Sequence, residues 1–202
     1  MDHNNILAVV LAGGKSKRFG EDKSQAKLGE KILIDYILSE LIVEFNEVLI
    51  VANNPIKHLQ SNKITKIEDL KKNLGPLGGI FSAMKWIKNR NKSYQWIASF
   101  PSDTPFFKIN ILNSFLEKIN EKESELFFMT FNEKRHNIFG LWSISLLDQL
   151  EKDLENGSRK VEKWANNIGV KTIDMSSEKE NSFFNINTKE DLDKAVKEIQ
   201  ND

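Results

Sequence analysis

The strongest constraint on the fold is a run near the start of the chain, Ile6 to Ala12, followed at once by Gly13 and Gly14. Seven apolar residues without a polar break read as a strand buried on both faces, as in a parallel sheet covered by helices. The glycine pair lets the chain turn sharply and lets a ligand approach the backbone with no Cβ in the way. Lys15, Lys17, Arg18 and Lys23 then fall within nine residues. A glycine turn at the carboxyl end of a strand, trailed by cations, suits a polyphosphate. Backbone N–H groups cradle the oxygens, and the cations offset the remaining charge.

Two familiar phosphate loops fail here. In a Walker A loop, Gly14-Lys15-Ser16 would need a further glycine at position 9, which is Val9. The dinucleotide fingerprint G-x-G-x-x-G fails because Gly13 and Gly14 are adjacent.

Composition narrows the classes further. A chain of 202 residues is long enough for one domain with a full core. Lys+Arg and Asp+Glu are both 29, a balance that argues against bulk nucleic-acid or membrane-surface binding and leaves any basic site local. With no cysteine there is no disulfide, thiolate nucleophile or cysteine-ligated metal. Met1 to Asn5 is polar, and the apolar run after it is about half the length that spans a bilayer. The expectation is a cytoplasmic chain with no signal peptide and no anchor.

Taken in order, the pattern predicts a helix over 32–45 and a buried strand over 47–52 ending at Asn53-Asn54-Pro55. A short extended segment covers 64–67 and ends at Glu68-Asp69. Gly75-Pro76-Leu77-Gly78-Gly79 opens a helix read as Ile80 to about Lys88. A strand over 94–100 ends at Pro101-Ser102-Asp103-Thr104-Pro105, and a helix follows over 109–119. Strands at 125–131 and 135–142 form a hairpin about residues 132–134. Helices at 146–154 and 161–167, a strand at 170–173 and an extended segment at 183–188 complete the chain. A last helix, capped by Thr188 with Asp191 three positions on, runs to about Ile199. This alternation argues for an α/β fold, a three-layer Rossmann-like arrangement with a mostly parallel central sheet. A ligand then belongs over the carboxyl ends of the strands, where the glycine loop, Asn53, Asp69 and Asp103 all fall.

Several of these residues suit specific chemistry, and each also has a plainer reading. Asp103, between two prolines at a strand end, suits Mg²⁺, which takes one or two carboxylates plus phosphate oxygens and waters. It would read the same as a turn aspartate. Asn185 and Asn187, two apart in an extended segment, share a side, and equally suit a turn before a helix cap. Asn53 could contact a nucleoside or only lead into Pro55. Arg159-Lys160 after Gly157 is a basic pair. His136, in the hairpin with no partner at ligand spacing, reads as structural or surface, and Trp86, Trp96, Trp142 and Trp164 read as core.

Residues 11–23, L-A-G-G-K-S-K-R-F-G-E-D-K, resemble the signature loop of the sugar-nucleotide-type nucleotidyltransferases, L-A-G-G-x-x-x-R-M/F-G-x-D-K. The form ending Gly-x-Asp-Lys is most similar to that of the molybdenum cofactor guanylyltransferases. Phe100 to Pro105 resembles that family's C-D-x-P segment, Phe184 to Thr188 its N-x-N-T element, Glu68-Asp69 its E-D-x element, and residues 75–79 its G-P-L-A/G-G loop. The likeness is weak between 107 and 180, and Lys160 stands where arginine is common.

The resemblance implies Mg²⁺-dependent transfer of GMP from GTP to the molybdopterin cofactor (Mo-molybdopterin), giving its guanine dinucleotide form and pyrophosphate. It implies that Gly13, Gly14 and Arg18 hold the β and γ phosphates and that Lys23 lies on the α-phosphate. Asp103 would hold the metal. Leu11, Ala12, Asn53, Asp69, Gly75, Pro76, Leu77 and Gly78 would complete the nucleotide site, and Lys160, Asn185 and Asn187 would face the acceptor. Residues 1–105 would mainly bind GTP and Mg²⁺, and 106–202 the acceptor. Other partners would be proteins that deliver molybdopterin or mature molybdoenzymes, with no nucleic acid or membrane, and the chain is expected to be a monomer. Sister readings are a cytidylyltransferase for the same cofactor, a sugar-1-phosphate nucleotidyltransferase, or a non-catalytic nucleotide-binding chaperone.

Overall fold

Strand β1, Ile6–Leu11, lies in the middle of a seven-stranded sheet, as its unbroken apolar run predicts. The computed structural model describes residues 5–13, 23–108, 117, 119, 124–176 and 179–201. The other strands are β2 (Lys27–Leu28), β3 (Lys31–Ile32), β4 (Val48–Val51), β5 (Ile64–Ile67), β6 (Trp96–Pro101), β7 (Leu126–Phe131), β8 (Lys134–Ser143) and β9 (Lys171–Asp174). The described helices are α1 (Leu33–Glu44), α2 (Pro76–Asn89), α3 (Leu147–Glu155), α4 (Val161–Ile168) and α5 (Lys189–Asn201).

The sheet order is β5-β4-β1-β6-β8-β7-β9, and β2 pairs with β3 in a separate small hairpin. β5, β4, β1 and β6 pair in parallel, as do β7 and β9, whereas β8 is antiparallel to both its neighbours. Every strand of the large sheet except β8 therefore points the same way. The chain builds outward from β1 to β4 and β5, then returns to add β6 on the other side of β1. That reversal opens a crevice over the carboxyl ends of β1 and β6, where ligands bind in open α/β sheets.

Apolar layers cover both faces. On one face, Leu7, Val9, Leu49 and Ile97 pack against α2, α3 and α4 through Ile80, Met84, Leu150 and Trp164. On the other, Ala8, Val10, Ile50 and Phe100 pack against α1 through Ile34, Leu38 and Leu41. A third cluster seats α5 on the β2–β3 hairpin through Leu28, Leu33, Ile186 and Ala195. No helix among the described residues is long and apolar enough to cross a membrane.

Several boundaries differ from the sequence pattern. α2 begins at Pro76 rather than Ile80, so the Pro-Leu-Gly-Gly stretch is its first turn. Proline fits that position because its missing N–H has no helical partner to lose. Gly75, just before it, sits at φ 65° and ψ −159°, a region open only to glycine. Residues 180–183 form a 3₁₀ turn, so Phe183 belongs to a turn and not to an extended segment. The β2–β3 hairpin has no counterpart in the periodicity, because two-residue strands carry no pattern. Trp86 is only half-buried, with Arg90 and Lys92 over its ring, while the other three tryptophans are core. The helix expected over 109–119 lies outside the described residues except at Glu117 and Ile119, both helical.

The hairpin of β7 and β8 turns at Asn132-Glu133, both at positive φ. Its pairing slips in the middle, with Phe128 opposite Gly140 but Met129 opposite His136. Asn137, Ile138 and Phe139 are the extra residues of this bulge. Ser99, fully buried in β6, fixes it by donating to the Ile138 carbonyl at 2.5 Å and accepting from Trp142 Nε1 at 2.7 Å. Bulges re-aim side chains beside functional sites, and this one borders the crevice.

Candidate active site

Two clusters line the crevice. The first lies at the ends of β1, β4 and β5. Ala12 N–H donates to the Val51 carbonyl at 3.0 Å, which carries Gly13 over the end of β4. There a Cβ on Gly13 would stand 3.6 Å from Asp69 Oδ2 and 3.8 Å from Asn53 Nδ2. Asn53 and Asp69 bond reciprocally: Asn53 Nδ2 donates to Asp69 Oδ2 at 2.7 Å, and Asp69 N–H donates to Asn53 Oδ1 at 3.2 Å. Ser82 of α2 ties this loop down, accepting from Leu70 N–H at 2.9 Å and donating to the Gly78 carbonyl at 2.8 Å. Asp69 Oδ1 is buried and has no hydrogen-bond partner among the described residues. Desolvation raises the Asp69 pKa, and the Asn53 amide offsets part of that rise. The free Oδ1 lies 3.7 Å from where a Cβ on Gly79 would stand, at the first turn of α2, and such an unpaired carboxylate oxygen suits a hydroxyl or an N–H of a nucleoside.

The second cluster lies at the end of β6. Asp103 is 8% exposed. Its Oδ2 accepts from Lys23 Nζ, which also donates to Asn187 Oδ1 at 3.1 Å. The Asp103 carbonyl accepts from Ile186 N–H at 3.0 Å, which fastens the 184–188 segment to this loop. Ile186 is buried, and its neighbours Asn185 and Asn187 are exposed. Asp191 Oδ2 accepts from the N–H groups of Asn187 and Thr188, both at 3.0 Å, and Asp191 N–H donates to Thr188 Oγ1 at 3.1 Å. The capping box of α5 thus holds Asn187 in place. Asp103 Oδ1 is also buried without a partner among the described residues. Desolvation raises the Asp103 pKa, and the Lys23 ammonium counters it.

The orphaned Oδ1 of Asp103 is the observation that bears on a metal. One anionic oxygen, dry and free, beside a polyphosphate-sized crevice fits Mg²⁺, whose remaining ligands are phosphate oxygens and waters. Among the described residues no group of three or more acidic or histidine side chains gathers into an all-protein cage.

The other expected site residues fall as follows. Leu11 and Ala12 close β1. Gly75 and Pro76 are exposed at the start of α2, whereas Leu77 and Gly78 are buried in its first turn. Gly14 and Arg18 lie outside the described residues. Lys160 is exposed and precedes α4. The carbonyl of its neighbour Arg159 would stand 3.8 Å from a Cβ on Gly75. The Arg159 guanidinium donates to the Leu154 and Ser158 carbonyls at 2.8 and 2.6 Å, closing the end of α3. The basic pair therefore stands with α2, while Asn185 and Asn187 stand across the sheet with α5.

Sequence reasoning missed the wall beyond Asn187. A cavity of about 480 Å³ is bounded by Pro101, Thr104, His136, Phe184 and Asn187 among others. Thr104 is buried beside Asp103, and only the order of the proline-flanked loop could have suggested it.

Two polar clusters over the carboxyl ends of the strands, with a lysine and a free carboxylate oxygen at their junction, suit a nucleotidyltransferase. Residues 8–169 match the MobA-like NTP transferase domain, and the chain belongs to that family. It is 31% identical to the molybdenum cofactor guanylyltransferase of Haemophilus influenzae (strain ATCC 51907 / DSM 11121 / KW20 / Rd), over 95% of this chain and 97% of that protein. It is 30% identical to the probable molybdenum cofactor guanylyltransferase of Aquifex aeolicus, over 95% and 90%. Its fold is that of the molybdopterin-guanine dinucleotide biosynthesis protein A of Archaeoglobus fulgidus, with a TM-score of 0.78 at 22% identity, covering 97% of this chain and all of that one.

Proposed function

We propose that this enzyme transfers GMP from GTP to the molybdopterin cofactor, giving its guanine dinucleotide form and pyrophosphate. The names of the relatives support the substrates. The observation that carries the chemistry is the junction of Lys23, Asp103 and Asn187 at the switch point of the sheet.

An oxygen of the acceptor's terminal phosphate attacks the α-phosphorus of GTP. The new P–O bond forms as the bond to the β-phosphate oxygen breaks, and pyrophosphate leaves. No side chain needs to act as nucleophile, so the protein's work is positioning and charge. Gly13, with Gly14 and Arg18 beyond it, holds the outer phosphates. Asn53 and Asp69 hold the nucleoside, with the exposed start of α2 at Gly75 and Pro76 closing the base side. Lys23 lies between the two substrates, where its ammonium gains most as charge develops on the α-phosphoryl group. Asn185 and Asn187 face the acceptor. Asp103 would hold Mg²⁺, which would supply positive charge to offset the charge developing on the leaving pyrophosphate. In this reading residues 1–105 form mainly the nucleotide half and 106–202 the acceptor half.

The test is calorimetric binding of GTP, CTP and ATP with and without Mg²⁺, followed by pyrophosphate release with molybdopterin. The expected result is GTP binding strengthened by Mg²⁺, and release that depends on both substrates. A preference for CTP would move the enzyme to the cytidylyl sister reaction. Nucleotide binding with no pyrophosphate release would leave a nucleotide-binding chaperone.

A further inference from the structure

His136 is used by nothing described so far. It lies in β8 at the foot of the bulge, half-buried, and its ring rests on Phe183 with centroids 4.6 Å apart and planes tilted by 31°. Phe139 meets the same histidine edge-on at 6.3 Å. Two aromatic neighbours fix the imidazole plane, so its nitrogens have a set direction. Neither ring nitrogen has a hydrogen-bond partner among the described residues. The ring lines the 480 Å³ cavity that starts at Pro101 and Thr104, beside Asp103. It also lines an adjoining cavity of about 740 Å³, which shares Lys134, His136, Phe183 and Phe184 with the first.

A ligand anchored by phosphate at Lys23 and Asn187 therefore has adjoining hollows within reach, and His136 stands in the wall that they share. We propose that the β8 bulge and the 180–183 turn build a ring-binding subsite, in which one imidazole nitrogen of His136 hydrogen-bonds the edge of a flat nitrogen heterocycle carried on a phosphate arm. This rests on the proposed transfer to a phosphorylated acceptor and names the part of the site that recognises that acceptor's ring.

The chemistry of the wall selects the ligand class. An uncharged imidazole presents one N–H donor and one bare nitrogen acceptor. The two nitrogens point in different directions, so one of them meets the ring edge, where an N–H, a C=O or a ring nitrogen of a pterin-type ligand can pair with it. Burial and the nearby Lys134 hold the histidine uncharged near neutral pH. The half-buried face of Phe184 offers the flat apolar surface on which such a ring stacks.

The probe is neopterin phosphate, whose ring fluorescence is quenched on stacking, titrated into the full chain. Wild-type protein is expected to give saturable quenching. His136→Ala should weaken it by about tenfold, the order of one lost hydrogen bond, and His136→Gln, which keeps a donor and an acceptor, should recover most of it. GTP affinity by calorimetry should stay unchanged in both variants. If His136→Ala fails to fold, Phe184→Ala gives the same reading through the stacking surface. Absence of quenching in the wild type, or equal affinity in wild type and variants, overturns the subsite. Pyrophosphate release by the wild type with GTP and molybdopterin is measured separately. Its absence would overturn the transfer reaction, while the quenching data would still decide the ring subsite.

Discussion

At Lys23 a single ammonium bonds the Asp103 carboxylate and, at 3.1 Å, the Asn187 amide oxygen. Lys23→Ala should cut kcat by on the order of a hundredfold with a smaller change in KM, as loss of one electrostatic group at a transition state does. A rise in KM alone would make Lys23 a binding residue only. Asp103→Asn should abolish Mg²⁺-dependent pyrophosphate release while leaving the melting temperature equal or higher, because its buried carboxylate is desolvated and its removal relieves the fold. A sharp drop in melting temperature would show that the Lys23 pair holds the structure together. His136 gives a third expectation. Burial lowers its pKa from 6.5 to about 4. Between those values the unfolded chain binds a proton that the folded chain refuses, so stability falls as pH drops through that window and is unaffected above it. The loss is on the order of 1–3 kcal/mol, allowing for partial solvent access. Urea midpoints at pH 7 and 4.5 should differ less in His136→Gln than in wild type. Lys23, Asp103 and Asn187 are each legible in the sequence, because each lies in a short motif with its own chemistry. Their contact is not legible, since separations of 80 and 164 positions say nothing of proximity. From sequence His136 reads as structural or surface, because Phe183, on which its ring rests, reaches it only through tertiary packing.

Among the elements, α2 shows how composition misleads. Pro-Leu-Gly-Gly reads as a breaker, yet here it is a helical first turn. Two of its residues are glycine because the helix is pressed against its surroundings. A Cβ on Gly78 would fall 2.6 Å from Leu74 Cβ, and one on Gly79 would fall 2.8 Å from Leu11 Cδ2. Leu74 Cβ moves only with its backbone, whereas Leu11 Cδ2 is the end of a rotatable side chain. Gly78→Ala should therefore cost roughly 1–3 kcal/mol, outweighing the helix propensity gain of about 1 kcal/mol. Gly79→Ala should cost less, and chemical denaturation of both variants checks the order. β1, α1, β4 and the Thr188–Asp191 cap are legible because period and capping are local. The β8 bulge is not, because it depends on Ser99, 39 positions from Ile138 in the chain, and on the pairing of three strands.

For the molecule as a whole, the sheet order decides where substrates meet. Alternating strands and helices in the sequence are enough for a mostly parallel sheet, but the reversed β8 and the order β5-β4-β1-β6-β8-β7-β9 emerge only from the fold. Because the cluster proposed to hold the nucleotide draws on β1, β4, β5 and α2 together, ligand binding there should stabilise the entire sheet. GTP with Mg²⁺ at about a hundred times its Kd should add about 2.7 kcal/mol, or roughly 5–10 °C in Tm. Differential scanning fluorimetry of wild type and Asp69→Asn checks this, and an equal shift in both would remove Asp69 from the nucleotide site. The same geometry bears on synthesis. Lys23 emerges from the ribosome early, and its partner Asn187 follows 164 positions later. Until those 164 positions have been made, the growing chain lacks one side of the junction. The cluster of Gly13, Asn53 and Asp69 can take shape on the nascent chain before Asn187 exists, so the proposed transfer would wait for the segment that α5 holds.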